Sequence, residues 1–210
     1  GEPSDILQNA KGVTLSAWIY PTTLGTNTRH VFYASTNASG TTRRANLSIA
    51  STNYLVGGGR SSDAQTEYAL TATNNLFSVN TWYHVSVIND LKGDSTKMFV
   101  NGVRVTPLNA AGWAAATTDN NTSNSVRIGQ QGSGHAESFL GYIDELQVSS
   151  QAMDSNWVKL AYQSPFIHHS GGTVCEPVDL PVNKRHLEMV YAHMRWSDKA
   201  YMGSVTHPLR

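Results

Sequence analysis

The chain has 210 residues, and its 15 basic and 15 acidic side chains cancel to a net charge of zero, which excludes a broad basic field for nucleic acid or anionic membrane. Charged residues make up 14% of the chain, below the roughly 25% common in soluble domains, so hydroxyl and amide groups supply the polarity, as in many exported β-proteins that meet sugars. No apolar run approaches the roughly 20 residues needed to cross a bilayer, and a single cysteine, Cys175, excludes an internal disulfide.

In chain order, VTLSAWIY puts Val13, Leu15, Ala17 and Ile19 on one face and Thr14, Ser16, Trp18 and Tyr20 on the other. This period of two predicts a strand covered on both sides, ending at Pro21. HVFYAS (His30–Ser35) and ANLSIAS (Ala45–Ser51) are strand-like, with NASGTTRR as a turn between them; YLVGG and EYALT are shorter candidates. TWYHVSVIND alternates over Thr81–Asp90, and KMFVNGVRV follows over Lys97–Val105. Asn-Gly between two alternating runs predicts a hairpin, because a type I′ turn needs positive φ at both central residues. Residues Asn109–Ser125 read as a long polar loop around Trp113, and SVRIGQ and SFLGYIDELQVSS as two further strands.

AMDSNWVKLAYQ is the first helix, capped by Asp154 or Ser155, with Met153, Trp157, Leu160 and Ala161 facing inward. A second helix is expected over KRHLEMVYAHMRW, capped by Asn183, with Leu187, Val190, Tyr191 and Met194 at helical spacing. YMGSV (Tyr201–Val205) follows as a short strand. Turn-separated strands over the first 150 residues or so point to an all-β sandwich, whereas the last part reads as a piece of βα architecture.

Five motifs taken in order, GVTLSAWIYP, NTWYHVSV, KMFVNGVRV, SVRIGQ and FLGYIDELQVSSQAMDSNWVKLAY, resemble the concanavalin A-like, laminin-G-like jelly-roll domains. The resemblance implies a jelly-roll sandwich of two antiparallel sheets over residues 1–162. The family's usual opening strand, an aromatic-Asp-Gly stretch with another Asp, is represented only by its end in GEPSDILQNAKG, which implies a missing edge strand and any calcium ligand it carries. A different resemblance covers the rest. HSGGTVCEPVDLP, KRHLEMVYAHMRWSDK and YMGSVT are similar to an internal stretch of the trimethylamine methyltransferase (MttB-like) family, TIM-barrel enzymes that pass a methyl group from an amine to a corrinoid protein. Residues 163–210 therefore read as a helix-containing extension, a fragment of such an enzyme rather than a complete domain, joined to the sandwich near 158–163.

Chemistry follows from these readings. A barrel active site draws on the ends of many strands, so the fragment is expected to be inactive alone. His168, His169, Cys175, Glu176 and Asp179 are metal-ligating types, but their spacing matches no compact zinc pattern. In the sandwich, Asp144 and Glu145 are adjacent, so on a regular strand they point to opposite faces and cannot flank one glycosidic bond. Glu137 is too distant to replace either.

Binding is therefore expected rather than catalysis. Sugars pack on aromatic faces and bond to polar rims. Trp113, set among small residues, and a second surface of Tyr54, Tyr68, Arg60 and Asp63 around GGGRSSD are the candidate ligand-binding residues. Trp18 and Trp82 lie on strand motifs and are expected in the core. The resemblance implies calcium near the IDE strand at Asp144, with Asp119 and Asn121 as loop candidates.

The leading expectation is a non-catalytic carbohydrate or cell-surface glycan binding module of a larger secreted protein, extracellular or at the cell surface, with no nucleic acid partner and no membrane insertion. A structural or adhesive domain without a sugar site is the alternative, and an inactive methyltransferase fragment the third. An accessible Trp113 favours binding, and a buried one the structural reading.

Overall fold

The computed structural model describes residues 7–35, 42–62, 67–73, 77–105, 113, 118–119, 125–131 and 137–163, together with the backbone of 192–194. The strands are β1 (Gly12–Pro21), β2 (Arg29–Ser35), β3 (Arg43–Ile49), β4 (Leu55–Gly59), β5 (Tyr68–Thr71), β6 (Tyr83–Asp90), β7 (Ser95–Val100), β8 (Val103–Val105), β9 (Ser125–Ile128), β10 (Gly141–Ser149) and β11 (Ala192–Met194), with helix α1 over Ser155–Gln163. They form a six-stranded sheet, ordered β11-β10-β1-β6-β7-β8, and a five-stranded sheet, ordered β5-β4-β3-β2-β9. Neighbouring strands pair antiparallel throughout.

The alternation read in the sequence builds the core. Val13, Leu15, Ala17 and Ile19 of β1 meet Val85, Val87, Met98 and Val100 on their own sheet, and Phe32, Ala34, Ala45, Leu47, Ile49 and Leu55 from the other. Burying each Val, Leu or Ile fully contributes about 1.5–3 kcal/mol. The sheets approach closely at Gly57, where an added Cβ would lie 2.5 Å from both methyl groups of Val87. The Asn101-Gly102 hairpin forms as expected, with φ of 50° and 74°. Asn101 Oδ1 also accepts from the His84 backbone N–H at 2.9 Å, fixing the turn to β6.

Helix α1 lies on the outer face of the six-stranded sheet. Asp154 caps it, accepting from Trp157 N–H at 2.7 Å, and Val158 packs with Ile88 and Phe99, flanked by Trp157. Thr14 anchors the approach to the helix, donating to Gln151 O at 2.7 Å and accepting from Met153 N–H at 3.0 Å. Leu160, expected inward, is 52% exposed. The helix turns Val158 to the sheet, and Leu160 lies two residues on, about 200° around the axis.

Two further expectations change. Ala192–Met194 fall within the predicted second helix, yet form the edge strand β11 beside β10, with Ile143↔Met194 and Leu146↔Ala192 in register. Helical spacing alone is a weak determinant without a packing partner, whereas an open sheet edge offers a row of unpaired backbone groups. The rest of that helix and the strand expected at Tyr201–Val205 lie outside the described residues. The second change is in β10. Between the pairs Trp18↔Asp144 and Ser16↔Gln147 its register slips by one residue, and Glu145 adopts φ of 50°. Ile143 and Leu146 both reach the core although they are three apart, so Asp144 and Glu145 both leave it. The expected opposition of these two carboxylates is overturned by this bulge, which inserts one extra residue into the alternation.

Candidate functional site

Register, rather than sequence proximity, assembles the polar surface of the five-stranded sheet. Phe32, Leu47 and Leu70 point into the core and Ile128 packs against it, so the residues between them face outward. Arg127 pairs with Tyr33, Tyr33 with Asn46, Asn46 with Gly58, and Gly58 with Ala69. This row crosses all five strands, a span of about 19 Å at the usual spacing of roughly 4.8 Å per strand. A second row begins with His30 against Ser48. Only glycine serves at Gly58, beside Asn46: φ is 145° and an added Cβ would lie 2.0 Å from Tyr68 O.

The floor of this face is polar and closed to water. Tyr33, Asn46 and Ser48 are 0% exposed and His30 is 1% exposed. Gln131 Nε2 donates to the Tyr33 hydroxyl at 3.1 Å, the His30 ring meets the Tyr33 ring edge-on at 5.1 Å, and Asn46 Nδ2 donates to Ser48 Oγ at 3.1 Å. His30 Nε2 lies 3.3 Å from Glu137 Oε2, whose side chain is 43% exposed at the rim. The rim also holds Arg43 and Glu67: Arg43 N–H donates to Glu67 Oε1 at 2.7 Å, and the side chains lie 3.8 Å apart.

Electrostatics fix the protonation states. Burial, with the Arg43 charge second, lowers the His30 pKa to about 4 despite an opposing hydrogen bond with Gln131. The ring is thus neutral at pH 7 and carries one N–H. The Glu137 carboxylate holds that proton on Nε2, which leaves Nδ1 as an acceptor. Burial likewise raises the Tyr33 pKa, keeping the phenol protonated. His30 Nδ1, Asn46 Oδ1, Arg127 NH1 and Ser138 Oγ are all sealed from water without a hydrogen-bond partner. The described residues thus leave two acceptors and one guanidinium N–H of this face without a partner.

The residues singled out in the sequence are placed elsewhere. Trp113 is 1% exposed. Its indole N–H reaches Thr96 Oγ1 at 3.2 Å and Ser95 O at 3.3 Å, and its ring meets Tyr68 at 5.6 Å. The small neighbours of Trp113 do not leave it open, because β5 and β7 take both its apolar ring and its N–H. Trp113 thus plugs one end of the sandwich and offers no face to a sugar. Tyr54 precedes β4 while Tyr68 pairs with Gly59 at its far end, about 17 Å away at roughly 3.3 Å per residue, so they form no common surface. Arg60 follows β4, its N–H donating to Arg44 O at 3.2 Å, and Asp63 lies outside the described residues.

The calcium set is likewise not assembled. Both Asp119 carboxylate oxygens lie 3.1 Å from Arg44 Nε and Oδ1 is 3.0 Å from NH2, with both side chains buried. Its oxygens are committed to this ion pair, which ties loop 118–119 to β3. Asp144 sits on the other sheet, where Oδ1 accepts from Glu145 N–H at 2.8 Å. Asn121 lies outside the described residues. Among the described residues, no three His, Cys, Asp or Glu side chains are grouped to hold a metal.

Trp18 and Trp82, expected in the core, lie on the outer face of the six-stranded sheet, each half-buried. Tyr20 links Trp82 and Tyr142 through ring contacts of 5.4 and 5.6 Å, and Trp18 contacts His84 and Tyr162 of α1 at 5.4 and 5.8 Å. Beside them Glu145 is raised to about 8, by burial first and then by the Asp144 charge. The sequence reading missed His30, Tyr33, Asn46, Arg127 and Gln131 as a site. The available signal was the set of large hydrogen-bonding residues alternating with core positions in HVFYAS, ANLSIAS and SVRIGQ.

The sandwich and its polar face can be set beside known proteins. Residues 3–159 match the family model described as the concanavalin A-like lectin/glucanases superfamily. The chain belongs to that superfamily. The fold is similar to the heptameric SAP-like pentraxin of Limulus polyphemus, at 19% identity and TM-score 0.58 over 77% of this chain and 74% of that one. It is also similar to the Ruminococcus gnavus IT-sialidase CBM40 bound to α2,3 sialyllactose, at 17% identity and TM-score 0.59 over 73% and 84%. A second family model, trimethylamine methyltransferase (MTTB), matches residues 139–210. The glycine betaine methyltransferase of Desulfitobacterium hafniense is 38% identical over 89 residues, covering 40% of this chain and 19% of that protein. The chain thus spans about a fifth of that relative. The two family matches overlap over 139–159, and this shared stretch is folded as β10 and the start of α1 in the sandwich.

Proposed function

We propose that this chain is a non-catalytic carbohydrate-binding module whose ligand face is the outer surface of the five-stranded sheet. One observation carries the reading: His30 Nδ1, Asn46 Oδ1 and Arg127 NH1, buried without hydrogen-bond partners, lie on three neighbouring strands of one sheet face, while His84 Nδ1 and Gln147 Oε1 lie on the other sheet. Each such group costs about 1–3 kcal/mol when left unsatisfied, so folding alone gives no reason to collect them. Sugar hydroxyls supply the missing donors. The names of similar folds support this: one is a sialidase CBM40 bound to a sialylated sugar, and another concerns a neurotoxin's interaction with gangliosides. A glycan-binding role accords with an extracellular or cell-surface setting. Calcium enters as a secondary proposal, with Asp144 as the candidate ligand.

The test is a glycan array probed with the whole chain, with and without EDTA, beside Asn46→Ala and His30→Ala. Binding to defined glycans, lost in both variants while circular dichroism is unchanged, supports the reading. Binding that survives both variants, or no binding at all, rejects this face. A structural role without a sugar site is the second reading, favoured by the burial of Trp113. Methyl transfer is the third, resting on the match over 139–210; activity with an amine and a corrinoid protein that disappears on deleting 164–210 would support it.

A further inference from the structure

We infer that the sugar taken by this face carries a carboxylate, with Arg127 as the residue that recognises it; the inference rests on the glycan reading above and narrows its ligand. Arg127 stands next to Tyr33 in register, and Ile128 beside it packs against the core, so the guanidinium belongs to the outer face.

The other arginines of this sheet are engaged. Arg29 donates to Ser138 O at 3.0 Å and Thr26 Oγ1 at 3.1 Å. Arg43 lies beside Glu67, and Arg44 is held by Asp119. Arg127 NH1 is sealed from water with no acceptor, and Arg127 takes part in none of the ion pairs among the described residues. A guanidinium is never deprotonated in a protein, and withdrawing its N–H groups from water is costly unless an anion or acceptor meets them. A planar carboxylate matches its fork of donors in two parallel hydrogen bonds.

The neighbouring groups say what the carboxylate is attached to. On the strand next to Tyr33, Asn46 Oδ1 needs a donor, and so does His30 Nδ1 on the strand of Tyr33 itself. Neither acceptor is served by an anion; both are served by hydroxyl groups. A ligand that presents an acid at one end and hydroxyls at the other meets all three, which is the chemistry of an acidic sugar. Charge at the rim is balanced, with Arg43 beside Glu67 and Glu137 beside His30, so recognition of the acid rests on Arg127.

The whole chain should be titrated by calorimetry with 3′-sialyllactose, its methyl ester, an oligogalacturonate and lactose, after an array of neutral and carboxylated glycans. At least one carboxylated glycan is expected to bind, with esterification or Arg127→Gln weakening it about tenfold or more, Arg127→Lys less, and rising salt weakening the wild type more than Arg127→Gln. Unchanged circular dichroism verifies that each variant keeps the fold. Neutral glycans that bind as tightly as acidic ones, or acid binding unaffected by Arg127→Gln, overturn the acidic-sugar inference while leaving the glycan reading intact. Failure of every carbohydrate to bind overturns both.

Discussion

The outer faces of the two sheets offer a comparison within one molecule. On the six-stranded sheet, Ile88 and Phe99 are covered by Val158 of α1, and the polar residues beneath the helix bond to one another: Ser16 Oγ lies 3.0 Å from His84 Nε2 and 2.8 Å from Ser86 Oγ. On this face His84 Nδ1 and Gln147 Oε1 are left without a partner. On the five-stranded sheet the equivalent positions hold His30, Tyr33, Asn46 and Arg127, and three of those four keep an unsatisfied atom. The first face is finished by the chain's own helix. The second has hydrogen-bonding capacity beyond what the described chain uses. On the proposed reading, that difference separates a surface finished for stability from one left for a ligand.

Truncating each face gives the largest contrast. Phe99→Ala should lower unfolding free energy by about 3–5 kcal/mol, the usual cost of emptying an aromatic core site, read from urea midpoints. Asn46→Ala should cost at most about 1 kcal/mol, because it removes an unsatisfied acceptor along with one hydrogen bond. Equal losses would erase the distinction between the faces.

Acid acts on both faces together. His30 and His84 each have a folded pKa of about 4, lowered chiefly by burial, against about 6.5 unfolded. Between those values the unfolded chain binds more protons, so stability is full above about pH 6.5 and falls as pH drops toward 4. The expected loss is of the order of 3 kcal/mol per histidine. His30→Gln should remove one such share and His84→Gln the other; a flat profile in the wild type would contradict the buried neutral rings.

The smallest effect has the opposite sign. Glu145, raised to about 8 from 4.5, contributes stability below pH 4.5 that is lost as pH rises through 8. It is partly exposed, so solvent screening keeps the effect small. Glu145→Gln should flatten that modest decline in melting temperature from about pH 5 to 8, and an unchanged slope would assign the decline elsewhere.

Much of the fold was legible because its determinants are local. Alternation in VTLSAWIY and TWYHVSVIND, and Asn101-Gly102 between two runs, each lie within a few residues. The polar face was not legible in the same way: Arg127, Tyr33, Asn46 and Gly58 sit on four strands, and only register brings them together. The bulge at Glu145 likewise depends on pairing with β1, so parity alone gave the wrong direction for its side chain. For Trp113, a loop composition of small residues gave no hint of Thr96, which lies 17 positions away and accepts its N–H.

Helix α1 also decides which side of the sandwich Gln163 occupies. Its last turn sets Tyr162 against Trp18 and His84, on the side of the sandwich away from Arg127 and Asn46. Gln163 and the face proposed to take a sugar therefore stand on opposite sides of the two sheets, with both layers of the core between them.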